Sequence, residues 1–502
     1  MEPTASVITK LIEHARIRPT APALIWCGKE TSYAELCDMM WGAYSEVREL
    51  SSGPLGILAR KSPRAIGLLL GAMLDRRSFL VPSPGLPEST LRGLFTQARC
   101  THVVSPDDNW DAARESMVAQ VMRVEPGSPG SAAAPVGPDD PDQVSFMLTT
   151  SGSTGLPKIV PLTVGAVDRF ADWAHDRFDL GPGRSVLNYA PLNFDLCLLD
   201  IWATLKQGGC VVLVDPDQAT NARSLFDLLA DHPVDVIQAV PMLYGLLTDA
   251  ARQTGEQVYA TQHVIFTGDA IQPGCLAELP KLFPEANFYN LYGCTETNDS
   301  FIHRVDVESE RLSPLPLGEP LPGVEALLVT DDGGVLTGPG TGELYVTTPF
   351  QTTGYLNASL DDKFVEHPGR PDGRRYFRSG DLVRRHPDGR LTLEGRNDFQ
   401  VKIRGQRVNT QEVEQALLAH GQVLEAAVVA IPDPRAGHRL HAALRRRPDS
   451  GLNSLEIRRH CAGRLPGAGI PSTVQIVDGP LPRTSTGKID RNHIKSIQTE
   501  AA

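Results

Sequence analysis

The segment Thr149-Thr-Ser-Gly-Ser-Thr-Gly-Leu-Pro-Lys158 follows directly on the apolar run Val144-Ser-Phe-Met-Leu148. Gly152 and Gly155 permit a tight loop whose backbone N–H groups can face an anion. Ser151, Ser153 and Thr154 add hydroxyl donors and Lys158 adds a charge, so the chemistry on offer is the cradling of phosphate oxygens. Taken alone, the same residues describe a Ser/Gly turn with no ligand. The loop is not the GxxxxGK[ST] phosphate loop. Nor is Gly487-Lys488, where Pro482 stands at the required glycine.

Five further segments follow in order: Asn290-Leu-Tyr-Gly-Cys-Thr-Glu-Thr297, Gly342-Glu-Leu-Tyr345, Arg375-Tyr-Phe-Arg-Ser-Gly-Asp381, Gly395-Arg-Asn-Asp-Phe-Gln-Val-Lys-Ile-Arg-Gly405 and Pro482-Arg-Thr-Ser-Thr-Gly-Lys-Ile-Asp-Arg491. With the Ser/Gly loop they closely resemble the signature set of the adenylate-forming superfamily. That superfamily contains acyl-CoA synthetases, firefly luciferases and the adenylation domains of nonribosomal peptide synthetases. The resemblance spans nearly the whole chain. It implies ATP and Mg²⁺ as cofactors, and a reaction in two halves: a carboxylic acid becomes an acyl-adenylate, and a thiol then takes the acyl group.

The resemblance also implies roles. Thr150, Ser151, Gly152, Ser153, Thr154, Gly155 and Lys158 would close over the ATP β- and γ-phosphates. Tyr292 would stack on adenine, Thr295 would hydrogen-bond the α-phosphate, and Glu296 would hold Mg²⁺, a hard cation that takes oxygen ligands. Asp381 would accept the ribose hydroxyls and Arg396 would reinforce the nucleotide. Lys488 would bridge the substrate carboxylate and the α-phosphate as charge builds in the transition state. Near Asp398 the small domain would rotate, withdrawing Lys488 and bringing Lys402 and Gly405 in to form the thiol's tunnel. The departures from the family pattern are Ile159 after Lys158, Cys294 before Thr295, and TSTGK in the last segment. None removes a charge or donor, and Cys294 reads as a small core residue rather than a nucleophile.

Phe194-Asp195 resembles the amino-acid-activating members, in which the aspartate pairs with the substrate α-ammonium; a buried carboxylate needs a cation. Asp195 equally suits a helix cap, since a helix starts near Leu198. Carried over from the family, the side-chain pocket is Leu196, Leu199, Gln238, Ile265, Thr267, Leu291, Asp299 and Ser300. Its mixed polarity suits a small amino acid such as alanine, glycine, serine or proline. Asp299 can alternatively pair with a cationic side chain.

The elements that must position these residues alternate. Ser32 and Glu35 form a capping-box pair ahead of Leu36, Met39, Met40 and Ala43, and Pro63 opens a second helix. Apolar strands are expected at 55–59, 78–82, 185–189, 210–214, 234–239, 263–266 and 287–290. Strand, helix, strand at that rhythm means a parallel sheet with crossover helices. Residues 126–141, rich in Pro, Gly, Ala and Ser, read as a surface loop. Beyond Arg396 the texture changes: a basic run, a helix opened by Asn409 and Glu412 with Gly421 past its end, then strand, strand, helix and strand. The fold class is α/β. A large domain on parallel-type sheets (1–397) is followed by a small, mobile α+β lid (398–502), with the hinge near Asp398.

Net charge is −12, which argues against nucleic acid as the main partner. The eight cysteines show no CxxC pair, giving little support to a zinc site or a disulfide framework. There is no signal-peptide pattern and no apolar run near the ~18 residues of a membrane span, so the expectation is a cytoplasmic enzyme. The chain ends fourteen residues after Lys488. That leads to the expectation of a free-standing ligase that loads a small amino acid onto the phosphopantetheine of a separate acyl or peptidyl carrier protein, in antibiotic-type secondary metabolism. Carriers are usually acidic, so Arg404 and Arg407 are expected to help dock one. The alternative is an acyl- or aryl-CoA ligase of the same fold, which Asp195 opposes. An inactive scaffold would be expected to lack Lys488, Glu296 or Asp381.

Overall fold

The computed structural model describes residues 5–106, 120–121, 139–150, 157–307, 314–356, 363–369, 373–396, 399–433, 437–447, 450–483 and 489–500. Ser151, Gly152, Ser153, Thr154, Gly155, Asp398 and Lys488 lie outside these residues, as does most of the loop expected at 126–141.

Alternation of apolar strands with amphipathic helices yields the expected α/β body. Its largest sheet runs, edge to edge, Glu319–Pro320, Asn298–Val305, Asn287–Cys294, His263–Thr267, Val236–Ala239, Ser185–Asn188, Cys210–Leu213, Pro22–Trp26 and Lys29–Ser32. The six strands from Asn287–Cys294 to Pro22–Trp26 pair in parallel, and antiparallel strands flank them. Val236–Ala239 and Cys210–Leu213 are buried along their whole length, as strands covered on both faces must be. A second sheet carries Leu55–Ile57, Phe79–Leu80 and Val144–Thr150 in parallel and ends in the antiparallel strand Lys158–Thr163. A third, antiparallel sheet is built on Gly340–Thr347 and Tyr376–Arg385.

The helix signals act as anticipated. Ser32 and Glu35 form the capping box of Tyr33–Val47, and Ser62 caps Pro63–Leu74 with the proline in its first turn. The helix near Leu198 begins as a wide, π-type turn, Leu198–Ala203, in which Thr204 Oγ1 bonds back to the Leu199 carbonyl at 3.1 Å. Phe170, Phe178, Phe266 and Phe301 are fully buried in the body, each worth roughly 1.5–3 kcal/mol of transfer free energy.

The lid begins with a hairpin, Gln400–Ile403 with Gln406–Asn409. Next comes the sheet Val423–Asp433, Gly437–Arg446, Thr473–Val477, packed by the helices Thr410–Leu418, Ser454–Ala462 and Arg491–Glu500. Asn409 caps Thr410–Leu418 as expected, but that helix closes through Ala419, two residues before Gly421. Buried Glu414 accepts from Arg491 at 2.8 and 2.7 Å and from the Val428 N–H at 2.8 Å, which ties the last helix to the lid sheet. All eight cysteines are free. Among the described residues no helix is long and apolar enough to cross a membrane.

Candidate active site

A cleft of about 460 Å³ opens where the parallel strands of the large sheet end. Ligands of open α/β sheets settle outside the carboxyl ends of their strands. Gln238 and Val240 reach it from Val236–Ala239 and the residue beyond, Thr267 from the end of His263–Thr267, and Gly293 and Cys294 from the end of Asn287–Cys294. Thr150, Asp195, Leu196, Thr295 and Asp299 complete one side, and the lid supplies Lys402, Gly405 and Arg407 to the other.

The structure therefore brings together the phosphate-loop stem, the aspartate of the amino-acid signature and the lid hairpin. Thr295 Oγ1 donates to Asp195 Oδ2 at 2.8 Å, so its hydroxyl is given to the carboxylate in this arrangement. Asp195 does not cap the helix at Leu198; its backbone carbonyl receives the Leu198 N–H and its carboxylate faces the cleft. Burial raises the Asp195 carboxyl, against the Thr295 hydrogen bond and the charge of Lys402. Burial and then the charge of Asp195 push Asp299 up to about 8.

Glu296 sits deeper. Burial alone would raise its carboxyl, but the Arg407 guanidinium and the Tyr355 hydroxyl outweigh that and hold it below its ordinary value. Arg407 Nη1 lies 3.1 Å from both Glu296 oxygens, and Tyr355 donates to Oε1 at 2.7 Å. Lys158, also buried, lies with its ammonium 4.6 Å from the Tyr355 ring centroid. Thr150 Oγ1 is buried and has no hydrogen-bond partner among the described residues. Asp381 takes the Tyr292 hydroxyl on one oxygen and Arg396 on the other, and Arg396 also donates to the Ser379 carbonyl at 2.7 Å. The Tyr292 ring is buried edge-on to Phe301 and does not border the cleft.

Part of the expected pocket is not brought to the cleft. Leu199, Ile265 and Leu291 are 0–2% exposed and join the main core, and Ser300 is fully buried with its hydroxyl facing Thr297 Oγ1 at 3.2 Å. Cys294 borders the cleft, yet burial pushes its thiol up to about 12, so it is no thiolate nucleophile.

Gly405, expected beside a thiol's tunnel, has a reason for its identity in the local backbone. Arg404 and Gly405 form the two-residue turn of the lid hairpin with φ of 50° and 77°, the left-handed geometry that such turns use. A Cβ on Gly405 would lie 2.2 Å from Val240 Cγ1. Arg407 was expected at a carrier-docking surface and is buried against Glu296 instead, with 14% of its side chain exposed. Lys402 and Arg407 are direct cross-strand partners, so they share one face of the hairpin. The Arg-Gly turn pair in the sequence is the signal that sets this register. Tyr355 carried no comparable signal.

The family model described as "AMP-binding enzyme" matches residues 11–356, and the one described as "AMP-binding enzyme C-terminal domain" matches residues 412–488. An L-proline--[L-prolyl-carrier protein] ligase of Pseudomonas fluorescens is 34% identical over 352 residues, covering 70% of this chain and 68% of that protein. One of the same description from Streptomyces coelicolor is 34% identical over 392 residues, covering 77% and 69%. The amide bond synthetase McbA from Marinactinospora thermotolerans superposes with a TM-score of 0.85 at 21% identity, over 98% of this chain and 99% of that one. A nonribosomal peptide synthetase protein containing adenylation and PCP domains gives 0.84 at 24% identity, over 98% and 84%. At those identities the structural matches establish the fold.

Proposed function

The chain belongs to the AMP-binding enzyme family, and on that footing we propose that it is an AMP-forming ligase that activates a small amino acid and loads it onto a carrier protein. The observation that carries the amino-acid reading is Asp195, a carboxylate at the cleft wall held by Thr295 and raised by burial. Such a group is stabilised by an arriving ammonium. The curated relatives named above are ligases for an amino acid and its carrier, which supports the same assignment.

ATP is the second substrate. Thr150 and Lys158, cross-strand partners at either end of the Ser/Gly segment, supply a hydroxyl and an ammonium suited to ATP phosphate oxygens. Mg²⁺ fits Glu296, an ionised carboxylate of the hard-donor type the cation takes, once Arg407 is withdrawn. Bound there with phosphate oxygens, it would neutralise charge on the departing pyrophosphate.

The arrangement with Lys402, Gly405 and Arg407 at the cleft suits the second half-reaction, in which a phosphopantetheine thiol takes the acyl group. Lys488 is assigned to the first half-reaction. Two assays test the proposal. ATP–pyrophosphate exchange is expected to need an amino acid and Mg²⁺. Radiolabelled amino acid is expected to load holo-carrier, with apo-carrier and free CoA left unlabelled. Efficient transfer to CoA with none to any holo-carrier would replace the carrier by CoA.

A further inference from the structure

The side of the cleft meant for the substrate side chain holds a carboxylate with no partner among the described residues. With Leu199, Ile265 and Leu291 withdrawn into the core, the assigned pocket residues that border the cleft are Leu196, Gln238, Thr267 and Asp299, beside Asp195. Asp299 is 8% exposed, and its carboxylate takes no hydrogen bond or ion pair from any described residue. Gln238 is 1% exposed, and its Oε1 is sealed from the cleft with no donor among the described residues. One carboxylate without a described partner, that of Asp299, thus borders the cleft alongside a carboxylate already assigned to an ammonium.

Among the described residues, the cations nearby do not meet this demand. Lys61 borders the cleft, but its ammonium is committed to the Asn188 and Tyr189 carbonyls at 3.0 and 3.2 Å. Lys402 acts on both carboxylates at longer range, with no ion pair to either, and belongs to the lid rather than the pocket wall. Burying an acceptor without a donor is unfavourable, and burying a carboxylate without a cation is more so.

We propose that the substrate is a short diamino acid, its α-ammonium on Asp195 and its second ammonium on Asp299. This rests on the amino-acid reading above and narrows its substrate class. The Asp299 carboxyl, pushed up to about 8, ionises at neutral pH when a cation is brought to it. Asp195 and Asp299 border the same cleft, and the charge of Asp195 reaches Asp299, so the proposed substrate carries its second ammonium on a short chain from the first. That spacing is met by 2,3-diaminopropionate, 2,4-diaminobutyrate and ornithine.

The test is ATP–pyrophosphate exchange by the intact enzyme. Each diamino acid is compared with its neutral isostere (2-aminobutyrate, norvaline and norleucine), with alanine, proline, benzoates and fatty acids alongside. A diamino acid is expected to exceed its isostere at least about tenfold in kcat/KM, and Asp299→Asn is expected to abolish most of that preference. The unmodified enzyme's panel decides the matter even if the variant folds poorly. Neutral amino acids that exchange as well as every diamino acid would overturn the second-cation assignment and leave amino-acid activation standing. Exchange with benzoates or fatty acids alone would overturn both.

Discussion

Nη1 of Arg407, on the lid hairpin, is 3.1 Å from each carboxylate oxygen of Glu296 on the large domain. Both groups are largely out of water, with side chains 14% and 1% exposed. Truncating one partner of such a pair strands the other, at about 3–5 kcal/mol in the arrangement that buries it. Arg407→Ala should therefore weaken this lid position specifically. Discharge of a pre-made aminoacyl-adenylate should slow at least about tenfold in single turnover, since ~1.4 kcal/mol is already tenfold. Pyrophosphate exchange should stay within a few fold. Equal losses in both assays would mean that the pair supports the fold rather than the lid position.

Gly405 offers a second handle on the same motion. Its φ of 77° costs a side-chain-bearing residue about 1–2 kcal/mol, and its Cβ would collide with Val240 Cγ1. Gly405→Ala should slow thioester formation and spare adenylation. Val240→Ala in the same chain removes the collision but not the backbone strain, so it should restore part of the rate. A double-mutant cycle measures that coupling. Zero coupling would remove the collision with Val240 as a reason for the glycine and leave the backbone strain and the passage of the thiol.

The fold was legible because its signals are local. Apolar runs such as Cys210–Leu213 and caps such as Ser32 and Ser62 act over a few residues, and most strand limits fall within two residues of expectation. Asn287–Cys294 is longer than expected because its continuation pairs with Asn298–Val305 across a turn rich in polar residues, which carries no apolar run. The site was legible as motifs but not as contacts. Tyr292 was expected to stack on adenine, and the sequence carried no sign that its hydroxyl reaches Asp381, 89 residues away. Such pairings are decided by tertiary packing. Leu199 and Leu291 look like pocket walls in a motif but are as apolar as the core that absorbs them.

The bond between Thr295 and Asp195 joins the phosphate motif to the amino-acid residue. Asp195→Asn should lower amino-acid-dependent exchange at least ~30-fold, because the incoming ammonium loses its counter-charge. ATP binding, measured by equilibrium dialysis, should be unchanged. Since burial raises the Asp195 carboxyl, the acid limb of exchange should lie above the ordinary carboxylate value of about 3.9. An acid limb at or below that value would detach Asp195 from substrate binding.

Asp299 gives a pH signature in stability. Its folded carboxyl sits at about 8, whereas an unfolded aspartate titrates near 3.9. Between those values the folded state holds a proton that the unfolded state has lost, so its contribution to stability falls as pH rises from about 4 to about 8. Asp299→Asn keeps the neutral form at every pH. Urea unfolding should therefore show the variant gaining on the parent between pH 5 and pH 8.5. A difference that does not change across that range would place the Asp299 carboxyl near its ordinary value.

Lys402 and Lys488 are assigned to opposite half-reactions, and Lys402 borders the cleft within electrostatic reach of Asp195 and Asp299. Both cannot serve the same adenylate at once if the lid presents one face at a time. Lys488→Ala should abolish pyrophosphate exchange, with a loss of about 10²-fold or more, as for other preorganised charge stabilisers. It should still transfer the acyl group of a supplied aminoacyl-adenylate to holo-carrier. Lys402→Ala should show the reverse, slowing transfer while exchange persists. The measurement is exchange and single-turnover transfer on both variants, with circular dichroism to confirm folding. If each folded variant loses both steps alike, the lid does not alternate between two working faces, and the second half-reaction must use the same lysine as the first.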